Sequence, residues 1–146
     1  MVAGCKATAG AGIWLDGNVP HLLENVLIEG NVATGSGGGV LVSATNANVA
    51  VTSSTIRSNS AASGGGIAML KGKLKLEQSI LWNNQTSGKG GQVYIASGAD
   101  TGAVFIELCD IATQQGDFED PDGDINDKKG FIGVNNNFSA DPLFVA

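Results

Sequence analysis

The chain has 146 residues, of which 42% are hydrophobic, only 15% are charged and 22 are glycine. That length favours one domain, the apolar content with a net charge of −6 argues against disorder, and glycines without a three-residue spacing exclude collagen. A pI near 4.5 and a single arginine speak against a nucleic-acid binder, and no apolar run approaches the roughly 18 residues of a membrane span. No cationic-then-apolar leader opens the chain. The charge is uneven. Residues 1–99 carry four acids and six bases (+2), whereas residues 100–146 carry ten acids and two bases (−8).

Along the chain, Gly10-Ala11-Gly12-Ile13 returns as Gly37-Gly38-Gly39-Val40, Gly64-Gly65-Gly66-Ile67 and Gly90-Gly91-Gln92-Val93, at steps of 27, 27 and 26. Between these clusters a second block recurs. His21, Leu23, Val26, Ile28 and Asn31 match Val49, Val51, Ser54, Ile56 and Asn59, then Leu74, Leu76, Ser79, Leu81 and Asn84. A fourth copy reads Val104, Ile106, Cys109, Ile111 and Gln114. Within each copy the apolar residues alternate with period two, in short runs separated by turn residues, and no amphipathic stretch reads as a helix.

A repeat of about 25 residues with three short strands describes one rung of a parallel β-helix, each rung lying about 4.8 Å above the last. The expected fold is therefore all-β: a single-stranded right-handed parallel β-helix of about four to five rungs. One domain spans 1–146, with rungs over about 10–114, an acidic loop at 115–130 and a C-terminal cap segment at 131–146. Interior stacks are expected for Ile13/Val40/Ile67/Val93, Leu15/Val42/Met69/Ile95, His21/Val49/Leu74/Val104, Leu23/Val51/Leu76/Ile106 and Ile28/Ile56/Leu81/Ile111. Val26, Ser54, Ser79 and Cys109 mark a tight inward position. Asn31, Asn59 and Asn84 should form an amide ladder that stops at Gln114. Cys5 and Cys109 fall three to four rungs, or roughly 15–19 Å, apart and should be free thiols. His21 reads as a partly buried end-rung histidine.

The pattern Gly-Gly-Gly-Ile/Val, an apolar strand, then Ser-x-Ile/Leu-x-x-Asn resembles the right-handed β-helix repeats of bacterial surface proteins, including polymorphic outer-membrane-type passengers. The closing Ala140-Asp141-Pro142-Leu143-Phe144-Val145 resembles the segment that follows the last repeats in that group. The resemblance implies an extracellular or cell-surface location and, because more sequence follows this segment in longer relatives, a fragment of a larger protein. It leaves activity open, since such repeats serve adhesion, glycan binding and polysaccharide cleavage alike.

Three features could carry chemistry. Trp14, Leu41, Ala68 and Tyr94 form an outward row on one sheet, with Trp82 and Phe105 outward on the other two. Such aromatics can stack on sugar rings, unless a tail or neighbouring chain covers them. In the acidic run Asp117–Asp127, the residues Asp120, Asp122, Asp124 and Asn126 could converge as oxygen ligands for Ca²⁺. A solvated loop is the alternative, and the order departs from an EF-hand. Arg57 and Glu29 align one rung apart beside Trp82, as an ordinary ion pair would. No cluster of carboxylates or base–metal pair of a polysaccharide hydrolase or lyase emerges among residues 1–99. The reading is thus a non-catalytic scaffold for adhesion, or for glycan or protein binding. The alternative is a carbohydrate-active enzyme, or a fragment of one, acting on a polyanionic glycan. Homo-oligomerisation through the solenoid ends or the outward apolar face is also expected.

Overall fold

The computed structural model describes residues 1–97, 104–112, 118–119 and 137–144. The first turn contributes β1 (Val2–Ala3), β2 (Lys6–Ala7), β3 (Ile13–Leu15) and β4 (Pro20–Glu24). The second contributes β5 (Leu27–Glu29), β6 (Val32–Ala33), β7 (Val40–Val42) and β8 (Asn48–Thr52). The third contributes β9 (Thr55–Arg57), β10 (Ser60–Ser63), β11 (Ile67–Met69) and β12 (Lys73–Glu77). Then follow β13 (Ile80–Trp82), β14 (Gln85–Lys89), β15 (Val93–Ile95) and β16 (Val104–Glu107), and finally β17 (Asp110–Ile111) and β18 (Phe118–Glu119). Like strands stack in parallel to give four sheets: β1-β5-β9-β13-β17, β14-β10-β6-β2, β18-β15-β11-β7-β3 and β16-β12-β8-β4. The chain is a parallel β-solenoid.

The register agrees with the sequence repeat at every described position. Ile67 pairs with Val40 and Val93, Leu74 with Val49 and Val104, and Leu81 with Ile56 and Ile111. These residues form one continuous core in which Val40, Val49, Ile56, Ile67, Leu81, Val93 and Ile106 are fully buried. In one respect the expectation needs correction: a turn holds four strands, not three. The additional sheet, β2/β6/β10/β14, carries small and polar residues, so no apolar alternation announces it.

Packing explains how so polar a strand is held. Its buried members are Ala33 and Ala61, which meet Ala11 in a small cluster of their own. Next to it runs the glycine cluster, and there is no room for a side chain between them. A Cβ on Gly38 would lie 2.5 Å from the carbonyl oxygens of both Gly65 and Ser60, and one on Gly65 would lie 2.1 Å from that of Gln85. The middle glycines let backbone pack on backbone.

Three corners of each turn carry left-handed residues. One column is Gly4, Gly30, Ser58 and Asn83, another is Asn25, Ser53, Gln78 and Leu108, and the third is Gly10, Gly37, Gly64 and Gly90. The third column alone is all glycine. A Cβ at Gly37 would lie 2.7 Å from Leu41 Cβ, whereas one at Gly30 would meet nothing within 4 Å. The other corners therefore tolerate Asn, Ser, Gln and even Leu at a conformational cost of roughly 1–2 kcal/mol.

Candidate binding surface

The interior polar residues stabilise corners. Asn31, Asn59 and Asn84 are buried and stack as expected. Asn31 Nδ2 donates to Asn59 Oδ1 at 2.9 Å, and Asn59 Nδ2 donates to Asn84 Oδ1 at 3.0 Å. The second hydrogen of each amide goes to a core carbonyl: Val2 O, Ile28 O and Ile56 O respectively. Each Oδ1 also accepts the backbone N–H of the preceding turn, from Cys5, Asn31 and Asn59. The upper end of the ladder is supplied from within the same turn. Asn84 Nδ2 donates to Oε1 of Gln92 at 2.7 Å, and Gln92 is itself buried. Gln114, expected to end the ladder, lies outside the described residues.

A second column, at the tight inward position, is Ser54, Ser79, Cys109 and Asn137. Val26 N donates to Ser54 Oγ, Ser54 N to Ser79 Oγ, and Cys109 N to Asn137 Oδ1. Ser54, Ser79 and Cys109 each donate back to the carbonyl two residues earlier, of Thr52, Glu77 and Glu107. Asn137 was not recognised from the sequence, because a long interval separates it from Cys109. Phe138 bridges to Asp110, so the C-terminal segment begins a further layer on the stack. Both cysteines are free, Cys5 exposed and Cys109 buried. Burial pushes the Cys109 thiol up to about 11.

The outward surface is less continuous than the sequence implies. Trp14 is 57% exposed, but Leu41 is only 2% exposed and Ala68 is fully buried, and Tyr94 is half-buried. Trp82 stands on a different sheet, beside Arg57 in register. The named residues therefore do not form a single platform. What the structure does assemble is a group at the first turns. Trp14 Nε1 donates to Ser43 Oγ at 2.7 Å, and Ser43 Oγ donates to Asp16 Oδ1 at 2.9 Å. An exposed indole is thereby pinned beside a carboxylate and a hydroxyl.

Elsewhere, Arg57 binds Glu29 through Nε at 2.8 Å and Nη2 at 2.6 Å, and the Phe144 ring covers the guanidinium at 4.4 Å. The closing segment thus returns across this sheet, fastened also by Ala140 N donating to Asp110 Oδ1. On the sheet containing β12, Lys75 bridges to Glu77 at 2.7 Å, with Phe105 and Leu22 exposed in the same column as Lys75. An open groove of about 460 Å³ runs along β10 and β14, lined by Ala33, Ser60, Ala61, Thr86 and Ser87 among others. His21 is half-buried, with its Nε2 3.1 Å from Gly17 O. Asp120, Asp122, Asp124 and Asn126 lie outside the described residues. Among the described residues no three His, Cys, Asp or Glu side chains converge as a metal site, and no helix is long and apolar enough to cross a membrane. No protein-family model, curated protein or solved structure matches the chain, so its own surfaces carry the functional reading.

Proposed function

We propose that the chain is a non-catalytic β-helix scaffold of a secreted or cell-surface protein, and that it binds a glycan at the Trp14/Asp16/Ser43 group. The observation that supports this reading is the fixed, exposed indole of Trp14. An aromatic face stacks on the C–H face of a sugar ring, and a flanking carboxylate and hydroxyl take its O–H groups. Holding the ring in place before binding reduces the ordering cost of the complex. The resemblance to bacterial surface β-helix repeats supports the location, and the break in the outward row at buried Leu41 and Ala68 confines the contact at Trp14 to one or two sugar units.

The test is a titration of the full chain with neutral and uronate-containing oligosaccharides, followed by isothermal calorimetry. Trp14→Ala should weaken binding by about tenfold or more. Its melting temperature should stay close to that of the parent, because the side chain lies largely outside the core. Binding that is indifferent to Trp14→Ala, or no binding across the panel, would remove the proposal. Release of unsaturated or reducing ends by the purified chain would replace it with the enzyme reading.

A further inference from the structure

The chain holds two copies of the acceptor triplet of N-linked glycosylation, Asn84-Gln85-Thr86 and Asn137-Phe138-Ser139. Such a triplet ordinarily lies in a surface loop, where an enzyme can reach both the amide and the hydroxyl two residues on. Here the fold does the opposite. Asn84 and Asn137 are each only 4% exposed, although Gln85, Phe138 and Ser139 beside them are exposed.

At Asn84 the nitrogen that would carry the sugar has no hydrogen to spare. Its Nδ2 donates one hydrogen to Ile56 O at 2.9 Å and the other to Gln92 Oε1 at 2.7 Å. A Cβ on Gly66 would lie 3.0 Å from the same nitrogen, so the packing around it is tight. Asn137 Nδ2 donates to Ile106 O at 2.9 Å, and its Oδ1 accepts Cys109 N at 3.0 Å. The hydroxyl of the first triplet is engaged as well. Thr86 Oγ1 donates to Ala62 O at 2.8 Å, with Lys89 O further off at 3.3 Å, and accepts Gly88 N at 3.1 Å.

These partners come together late. Ile56 and Asn59 precede Asn84 by 28 and 25 residues, and Gln92 follows it by 8. Asn137 depends on Ile106 and Cys109, 31 and 28 residues earlier. Neither amide is covered by its own strand, and contacts between distant residues form more slowly than local ones. Asn84 therefore stays open until the turn before it and the residues up to Gln92 have stacked.

We infer that Asn84 and Asn137 are fold-gated glycosylation sites: a glycan enters them only before their turn closes, and once there it keeps the turn from closing. The donor is a lipid-linked oligosaccharide pyrophosphate. Its C1–O bond breaks as C1 bonds to Nδ2, the lipid pyrophosphate leaves with the electron pair, and one Nδ2 proton is released. Asn84 then keeps a single Nδ2 hydrogen, so either Ile56 O or Gln92 Oε1 is left buried without its donor. The sugar itself finds no space at a site so deeply buried. Folding and glycosylation compete for one nitrogen, and the faster of the two decides the fate of the chain. The inference takes from the proposed function only the secreted location, not the glycan-binding site.

The test is cell-free synthesis of the full chain behind a cleavable signal peptide, in microsomes that hold the oligosaccharyltransferase and its lipid-linked donor. Mass spectrometry reads the glycan occupancy of each triplet in the total chain and in the folded, protease-resistant chain. Occupancy at Asn84 and at Asn137 should be about tenfold or more lower in the resistant chain than in the total. An excess of an acceptor tripeptide, which draws off the donor and leaves the chain unaltered, should raise the resistant fraction about twofold or more. Equal occupancy in the two fractions would overturn the inference. So would a total chain without glycan at either site, or a resistant fraction that the tripeptide leaves unchanged. Because the signal peptide supplies the location, each of these failures counts against the gating and not against the proposed function.

Discussion

Replacing Asn59 with leucine tests whether the amide ladder is a major source of the stability of this fold. Leucine shares the branched heavy-atom skeleton of asparagine, with bulkier methyls, but cannot form hydrogen bonds, and the site is fully buried. Three groups lose their partner. Asn31 N and one hydrogen of Asn31 Nδ2 lose the Oδ1 acceptor, and Ile28 O loses its donor. Asn84 Oδ1 keeps the backbone N–H of residue 59 and is not orphaned. At about 1–3 kcal/mol for each buried unsatisfied group, and allowing for some relaxation, the loss is about 4 kcal/mol. That is a large part of the 5–15 kcal/mol typical of a whole domain. Asn59→Ala should cost less, about 3 kcal/mol, because the vacated space can admit a water between polar groups. Urea unfolding followed by circular dichroism gives the comparison, provided the slope with urea stays constant. A loss below about 1 kcal/mol for the leucine variant, at unchanged slope, would refute the reasoning. Asn59→Asp adds a check on sign. One carboxylate oxygen would keep Asn31 N and Nδ2 as donors, but the other would face Ile28 O and Asn84 Oδ1, both acceptors, and full burial adds desolvation, so the folded state raises its pKa above the ordinary aspartate range. The folded state then binds the proton more tightly, and stability falls as pH rises from about 4 upward.

The glycine column separates steric from conformational cost: Gly38→Ala should lose about 3 kcal/mol because both contacts are backbone, whereas Gly30→Ala, with open space and φ 63°, should lose about 1 kcal/mol. Parallel denaturation curves decide it, and equal losses would contradict the packing argument. Because burial holds the Cys109 thiol neutral up to about 11, stability should be level below the ordinary cysteine value of 9.0 and decline as pH rises from there towards 11. The same burial predicts that a thiol reagent at pH 8 modifies Cys5 rapidly and Cys109 only on unfolding, which mass spectrometry resolves. Arg57→Ala and Phe144→Ala should each cost about 0.5–1 kcal/mol, since the Arg57–Glu29 pair is about a quarter exposed. A double-mutant cycle should show coupling between them, and strict additivity would mean that the closing segment does not rest on Arg57.

Most of the core was legible in the sequence because a stack repeats its chemistry at a fixed interval. Ile28, Ile56, Leu81 and Ile111 are matched by position before any coordinate is known, and the Asn31/Asn59/Asn84 column follows by the same count. The fourth sheet was not legible, since a strand such as Gln85–Lys89 is held by backbone packing on glycines and bears no apolar signature. Gln92 was hidden for a related reason. It replaces a glycine, so the substitution read as a lapse in the pattern, when its longer side chain reaches inward to finish the ladder. Outward direction was legible, but exposure was not: Leu41 and Ala68 alternate as surface residues do, yet the neighbouring glycine corner packs against them.

The two polar columns differ in how far they connect the turns, and side-chain valence accounts for it. A serine hydroxyl has one hydrogen, and Ser54 and Ser79 use it on their own turn, at Thr52 O and Glu77 O. From the neighbouring turn each accepts one N–H, to which Ser54 adds a long contact from its Oγ to Leu23 O at 3.5 Å. An asparagine amide has two hydrogens and two acceptor positions, so it can satisfy a carbonyl of one turn and still join the side chain of the next. The ladder of Asn31, Asn59, Asn84 and Gln92 is therefore continuous through side chains, whereas the serine column is continuous only through backbone. All its side-chain links donate in one direction, the same direction as the peptides of the glycine corner. Aligned links polarise one another, so each added turn strengthens those already formed.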